Sequence, residues 1–393
     1  MKLPKGFLAS GVLSGVRKRR PDLAILLAPA GATAAAIFTK NRFAAAPVIL
    51  SRAALSRSGG RVRAAVVNSG CANALTGEEG TRAARRVRDR TARLLRCPPE
   101  EVFLASTGVI GVALPDGKIR EALPSAIARL SATGLDAASR AILTTDAGPK
   151  VATATFRHAG RRGRIVGFAK GAGMIHPDMA TMLAFLATDV AASPKFLRAA
   201  LQEAAASSFH AISVDGDTST NDSVLLLASG ELGGPVLSRP GQGAGFREAL
   251  SAVCRKLAEM IVRDGEGASR VMSIEIRGAR SDREAKLAAH AVATSPLVKT
   301  ALAGGDPNWG RILAAVGRSG ARFSPKRVCL RAAGLALVLR GSPAAYRERD
   351  AAKIFSRETV PIEIVLGSGP GKASLMTCDL GHDYVSLNAD YRT

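Results

Sequence analysis

Apolar positions along this chain repeat with two periods. The run Met182–Ala187 follows a small-residue turn (Gly171, Ala172, Gly173) and the pair Pro177–Asp178, and it predicts a buried strand with Thr181 at its head. Met179, Met182, Leu183 and Leu186 also fit a helical stripe, so periodicity alone leaves both open. Asp22 to Leu50 reads as short strands broken by Pro and Gly, with a turn at Lys40–Asn41. Ala64–Val67 is a second buried strand running into a loop rich in Asn and Gly. Val102–Gly111 is a short strand that enters a turn at Ser106, Thr107 and Gly108. Helical spacing appears in Ala84, Val87, Thr91, Leu94 and Leu95, which predict an amphipathic helix over Thr81–Arg96 with a solvated Arg face. One or two helices fall within Ile119–Ala152 and another within Ser193–Ser208. Phe246, Leu250, Val253, Leu257 and Ile261 form the stripe of a further helix. Met272–Arg277 is a strand, and a helix begins near Asn308 after the Gly304–Gly305 turn. Gly233–Gly245 reads as a surface connection.

Composition narrows the class. The 393 residues suffice for two or three domains, and 47% hydrophobic content without an apolar run of membrane length predicts a soluble globular protein. Five Cys, odd in number and without CxxC spacing, argue against a disulfide framework or zinc site and suit a reducing cytoplasm. Arg17–Arg20 and Asp22 interrupt the apolar N-terminal stretch where a signal peptide needs it unbroken. The net charge of +23 would ordinarily suggest nucleic acid. The excess is mostly Arg, however, and is spread along the chain. Aromatics amount to 4%, too few for stacking platforms, and no RNP or C₂H₂ pattern occurs. The charge therefore reads as compositional drift, with neither nucleic acid nor membrane as partner.

Three places carry chemistry. A Thr hydroxyl is a weak nucleophile without a base beside it. If the chain were cut between Ala180 and Thr181, the freed α-amine, with a pKa of about 7.7–8.0, would supply that base within one residue. At Ser106–Thr107–Gly108, hydroxyl and backbone donors could converge on an oxyanion, although the tripeptide alone reads as a strand-end turn. Asp215, Asp217 and Asp222 invite a metal, but the EF-hand Gly and terminal Glu positions fail. A polar loop bonding its own backbone fits better. Glu266 by default is a solvated loop carboxylate, and the Gly304–Gly305 turn lacks the GxxxxGK[ST] pattern of a phosphate loop.

The stretch Lys170–Phe185, KGAGMIHPDMATMLAF, resembles the self-cleavage site of the ornithine acetyltransferase (glutamate N-acetyltransferase) family of arginine biosynthesis. Six further segments agree in order: Asn68–Gly70 with Ala72–Asn73, Ser106–Gly108, Thr144–Asp146 with Pro149–Lys150, Asp215–Asp222, Asp264–Ala268 and Asp306–Arg311. The tail Cys378–Thr393 follows them. Ala147, often Thr in the family, and Met376–Thr377, usually a small residue before the Cys, depart from the pattern. The resemblance implies a mixed α/β fold layered helix–sheet–sheet–helix, of the self-cleaving ornithine acetyltransferase/aminopeptidase type. It implies cleavage at Ala180–Thr181 into an α chain (1–180) and a β chain (181–393), assembled as α2β2. Thr181 is then the nucleophile, Thr107 and Gly108 form the oxyanion hole, and Thr145, Lys170, Thr181, Glu266, Asn388 and Thr393 bind substrate. No metal or cofactor is required. Acetyl passes from N-acetylornithine to glutamate, with acetyl-CoA at best a slower second donor. Two other classes compete: a self-cleaving amidohydrolase or aminopeptidase with water as acceptor, and a basic nucleic-acid or scaffold protein indifferent to Thr181.

Overall fold

Leu23 to Ala28 are all buried, yet their side chains go to two different places. Leu23, Ile25 and Leu27 enter one apolar cluster, while Ala24, Leu26 and Ala28 enter another. This is the two-residue alternation of a strand covered on both faces, which is why the run shows no polar positions. The computed structural model describes residues 2–176, 182–239 and 241–390. They divide into two units, Met1–His210 with Asp217–Ile261, and Ala211–Gly216 with Val262–Arg392.

In chain order the first unit contains β1 (Leu8–Val12), β2 (Leu23–Phe38), α1 (Ala46–Arg57), β3 (Arg61–Cys71), α2 (Gly77–Leu95) and β4 (Val102–Val109). There follow α3 (Asp116–Ala128), α4 (Leu135–Ala141), β5 (Lys150–His158), β6 (Arg161–Lys170), β7 (Leu183–Thr188) and α5 (Pro194–Ala206). The short β8 (Ile212–Ser213) belongs to the second unit; β9 (Ser223–Ala228) and α6 (Ala244–Arg263, in this unit through Ile261) complete the first. The strands form one ladder in the order β4-β3-β2-β9-β7-β6-β5, with β1 also on β2.

That ladder doubles over at β2. Leu23–Leu27 pair antiparallel with β1 and β3, whereas Thr33–Phe38 pair with β9. Between them the register breaks from Leu27 to Ala32, around Pro29 and Gly31, the latter at φ 79°. The two halves then face each other. Phe38 stacks on Phe103 of β4 with centroids 5.8 Å apart, and side chains of β3 and β4 share a cluster with Phe168, Phe185 and Leu225. Outside β3–β4 lie α1, α2 and α3, through Leu50, Val87, Ile119 and Leu123. On the other outer face Gly167 admits Leu186 together with Val253 and Leu257 of α6; a Cβ there would come within 2.6–2.9 Å of all three. The first unit is thus layered helix–sheet–sheet–helix, as the resemblance implied. The ambiguity at Met182–Ala187 resolves as β7. All six of its residues are buried, with Leu183, Phe185 and Ala187 facing the inner cluster. Each such large side chain contributes about 1.5–3 kcal/mol, and a one-stripe helix would forfeit half of them.

Three local expectations change. Pro47–Leu50 begins α1 and is not a strand; Pro47 lies in the first turn, where its missing N–H costs nothing. Asn68–Cys71 continues β3, and Ser106–Gly108 continues β4, because the two parallel strands stay paired to Cys71–Val109.

The second unit contains β8, β10 (Val271–Ala279), α7 (Asp282–Ala293), α8 (Pro296–Ala303), α9 (Trp309–Gly317), β11 (Cys329–Ala332), β12 (Leu335–Leu339) and β13 (Ser342–Pro343). It ends with α10 (Glu348–Phe355), β14 (Thr359–Val365), β15 (Gly371–Cys378) and α11 (His382–Asp390). Its sheet runs β13-β12-β11-β14-β10-β15-β8. Here the strands alternate: Met272, Ile274 and Ile276 pack under Ala285, Ala288 and Val292 of α7, and Ser273 and Glu275 point away. The helix expected near Asn308 is α9, capped by the Asn308 side chain accepting from Arg311 N–H (3.2 Å). The expected division at 180/181 is one of the covalent chain and does not follow these units. Strands β6 and β7, on either side of it, pair directly, Lys170 opposite Leu183.

Candidate active site

Parallel pairing of β3 with β4 brings two of the sequence motifs into register, Asn68 beside Ser106, Ser69 beside Thr107 and Gly70 beside Gly108. The Ser106 hydroxyl donates to Asn68 Oδ1 (2.6 Å), and Asn68 Nδ2 donates to the Cys71 carbonyl (2.9 Å). Gly108 adopts φ 127°, and a Cβ on it would lie 2.4 Å from the Gly70 carbonyl carbon. Only glycine permits that conformation and that approach. Thr107 is buried.

The segment Asp217–Asp222 ties this strand end to β7. Asn221 Nδ2 donates both to the Ala72 carbonyl (2.6 Å) and to the Ser106 carbonyl (2.9 Å). The next residue, Asp222, accepts the Met182 N–H on Oδ1 (2.8 Å). Thr218, Ser219 and Thr220 give their carbonyls to Asn41 Nδ2, the Thr39 hydroxyl and the Ala45 N–H. The loop does bond backbone, as expected, but mostly backbone far away in sequence. Asp222 is fully buried, while Asp215 belongs to the other unit and receives the Tyr384 hydroxyl at 3.5 Å. The three carboxylates do not form a cluster, and none of three or more metal-binding side chains occurs among the described residues.

Lys170 ends β6 and is buried beside Asp146, its Nζ 3.8 Å from Oδ2. Asp146 also accepts from Lys150 Nζ (2.7 Å), Gly171 N–H (2.6 Å) and Thr144 N–H (2.9 Å). Burial alone would raise this carboxyl. The ammonium groups of Lys170 and Lys150 and the hydrogen bonds from Lys150 and Thr144 outweigh it and hold it well below the usual carboxylate range. Thr145, next to Asp146, is exposed. A depressed folded-state pKa contributes stability that is complete above the unfolded value of about 3.9 and fades as pH falls below it. Asp146→Asn is expected to lower the unfolding free energy by about 1.5–3 kcal/mol at pH 7. It should also flatten the loss of stability between about pH 5 and pH 3. Urea titrations at several pH values test this; equal slopes for both proteins would show that Asp146 is not the group responsible.

The second unit brings Glu266 and Asn388 together: Asn388 Nδ2 donates to Glu266 Oε2 (2.9 Å) and to the Tyr384 carbonyl (3.0 Å). Gly267, at φ 67°, makes room for the first turn of α11, since a Cβ would stand 2.4 Å from Tyr384 N. Asp379 secures the same loop by accepting from the Ser269 N–H, the Ser269 hydroxyl and the Arg270 N–H at 2.6–3.0 Å. Glu266 is therefore no loose loop carboxylate. Ala180, Thr181 and Thr393 lie outside the described residues. Sequence reading gave Asn221 and Lys150 no role and Asp222 only a metal reading that it set aside, although all three fall within the segments that resemble the family.

The ArgJ family profile matches residues 8–393. An "Arginine biosynthesis bifunctional protein ArgJ" of Chlorobaculum tepidum is 46% identical over 391 residues, covering 99% of this chain and 96% of its own. A protein of the same name from Thermus thermophilus is 46% identical over 395 residues and covers 100% of both chains. Among solved structures, the arginine biosynthesis bifunctional protein ArgJ of Bacillus halodurans is 37% identical with a TM-score of 0.51. It matches 53% of this chain and 98% of that one.

Proposed function

This chain belongs to the ArgJ family, and from that premise we propose that it is a glutamate N-acetyltransferase of arginine biosynthesis. It moves acetyl from N-acetylornithine to glutamate through an ester on Thr181. The observation that carries the reading is the shared anchoring of two segments. Asn221 holds the strand of Thr107 and Gly108 through Ser106, and its neighbour Asp222 holds Met182, the residue bonded to Thr181.

The chain first divides itself. The Thr181 hydroxyl attacks the Ala180 carbonyl, the Thr181 nitrogen leaves, and water opens the resulting ester. The freed α-amine then takes the proton of the hydroxyl as it attacks the acetyl carbonyl of N-acetylornithine. Donors at Thr107 and Gly108 stabilise the oxyanion. Ornithine departs with a proton, glutamate enters, and its amine removes the acetyl group. Charge supports carboxylate-bearing substrates. Lys150 and Lys170, both buried beside Asp146, place two ammonium groups close to exposed Thr145. Glu266, Asn388 and Thr393 complete the substrate contacts, with Glu266 suited to the ammonium end of ornithine. The Bacillus halodurans chain is about half the length of this one, which supports division near the middle. The two products assemble as α2β2 in the cytoplasm; no helix among the described residues is long and apolar enough to cross a membrane. Acetyl-CoA is a slower second donor.

Initial-rate kinetics test the covalent route. Double-reciprocal plots against N-acetylornithine at several glutamate concentrations are expected to be parallel, as a shared acetyl-enzyme requires. Lines that intersect would mean direct transfer between two bound substrates.

A further inference from the structure

Asp222 has a feature that neither the fold nor the transfer chemistry explains. Its carboxyl is completely buried, Oδ1 accepts the Met182 N–H at 2.8 Å, and Oδ2 has no hydrogen-bond partner among the described residues. Thr39 lies beside it, but the Thr39 hydroxyl donates to the Ser219 carbonyl (2.7 Å). Burial pushes this carboxyl well above the usual range, against the opposing pull of the Met182 N–H, Lys170 and Thr39. If the fold merely needed an acceptor for this N–H, a backbone carbonyl would serve. A buried oxygen left unbonded costs stability, a cost that functional sites tolerate.

Met182 is held at both of its backbone groups by consecutive residues. Its N–H goes to the Asp222 side chain and its carbonyl accepts the Ser223 N–H (3.2 Å). Ser223 itself stands in register between Leu183 and Phe38. Met182 is the residue bonded to Thr181, so fixing its N–H restrains the chain where the proposed nucleophile is attached. We infer that Asp222 is a positioning residue for the proposed nucleophile Thr181, acting through the Met182 N–H to anchor the chain immediately after it. This rests on the proposed role of Thr181. It requires of Asp222 an acceptor oxygen, not a charge.

Asp222→Ala and Asp222→Asn in the full chain separate the possibilities. The measurements are the rate of division at 180/181 after cell-free synthesis, and kcat and KM for transfer. The Ala variant is expected to divide more slowly and to lose roughly tenfold in kcat with KM little changed. The Asn variant keeps the acceptor and should restore both rates to within about threefold of the parent. Wild-type rates in the Ala variant would overturn the inference. So would an Asn variant that folds but is as slow as Ala, since the carboxyl would then be moving a proton. Should the Ala variant not fold, the Asn variant decides by its kcat–pH profile. That profile must superimpose on the parent's between about pH 6 and pH 9, and a missing limb would overturn the inference. Thr181→Ala distinguishes the two levels: an inactive Thr181→Ala beside an unaffected Asp222→Ala rejects the positioning role alone, while an active Thr181→Ala rejects the nucleophile itself.

Discussion

Thr181→Ala is expected to remain a single undivided chain that transfers no acetyl. The two losses have one cause. The hydroxyl that attacks the Ala180 carbonyl during division is the hydroxyl that later carries acetyl, and its base exists only once the α-amine has been freed. Thr181→Ser keeps a hydroxyl and should divide and turn over more slowly. Denaturing electrophoresis and intact mass read division directly, as fragments 1–180 and 181–393 in the parent protein. If Thr181→Ala were divided at the same bond, an external protease would be responsible, and the α-amine would no longer be a product of the chain's own chemistry.

Thr107→Ala is expected to lower kcat by roughly 10²–10³ with a much smaller change in KM, the loss produced by removing one preorganised oxyanion donor. The residue is well placed for such an effect to be specific. It lies on β4 opposite Ser69, is buried, and is flanked by Ser106 and Gly108, whose contacts with Asn68, Asn221 and Gly70 hold the strand end fixed. Removing one hydroxyl should therefore leave the backbone in place, and melting temperature should change little. Because the carbonyl attacked during division also becomes an oxyanion, division should slow as well. Unchanged rates of both steps would leave Ser106–Gly108 as ordinary strand, and the donors would have to be sought elsewhere.

Periodicity made the strands and helices of the first unit legible where burial dictates residue type over a full element. The clearest case is α6, whose five stripe residues are all buried, whereas β7, buried on both faces, left strand and helix both open. It failed at Pro47–Leu50, where β-branched and apolar residues resemble a strand but the Pro sits harmlessly in a helix's first turn. It also ended β4 too early at Ser106, because polar residues and Gly look like a turn unless the partner strand is known. The helix–sheet–sheet–helix layering could not come from local pattern. It depends on one strand, β2, breaking register and serving two ladders. The residues expected to be functional came from the ordered motifs and not from spacing. Their supports, Lys170 beside Asp146 and Asn221 spanning to Ala72 and Ser106, are contacts between distant parts of the chain that no local window contains. Glu266 illustrates the difference well. A loop carboxylate by position, it is fixed by Asn388, more than a hundred residues onward.

The most direct measurement is mass analysis of the protein after brief exposure to N-acetylornithine without glutamate. The mass of one acetyl group should appear on the fragment that begins at Thr181, on that residue itself in the digest, and should vanish when glutamate is added, with N-acetylglutamate formed in equal amount. Full transfer activity with no acetyl group on that fragment would contradict the covalent route through Thr181.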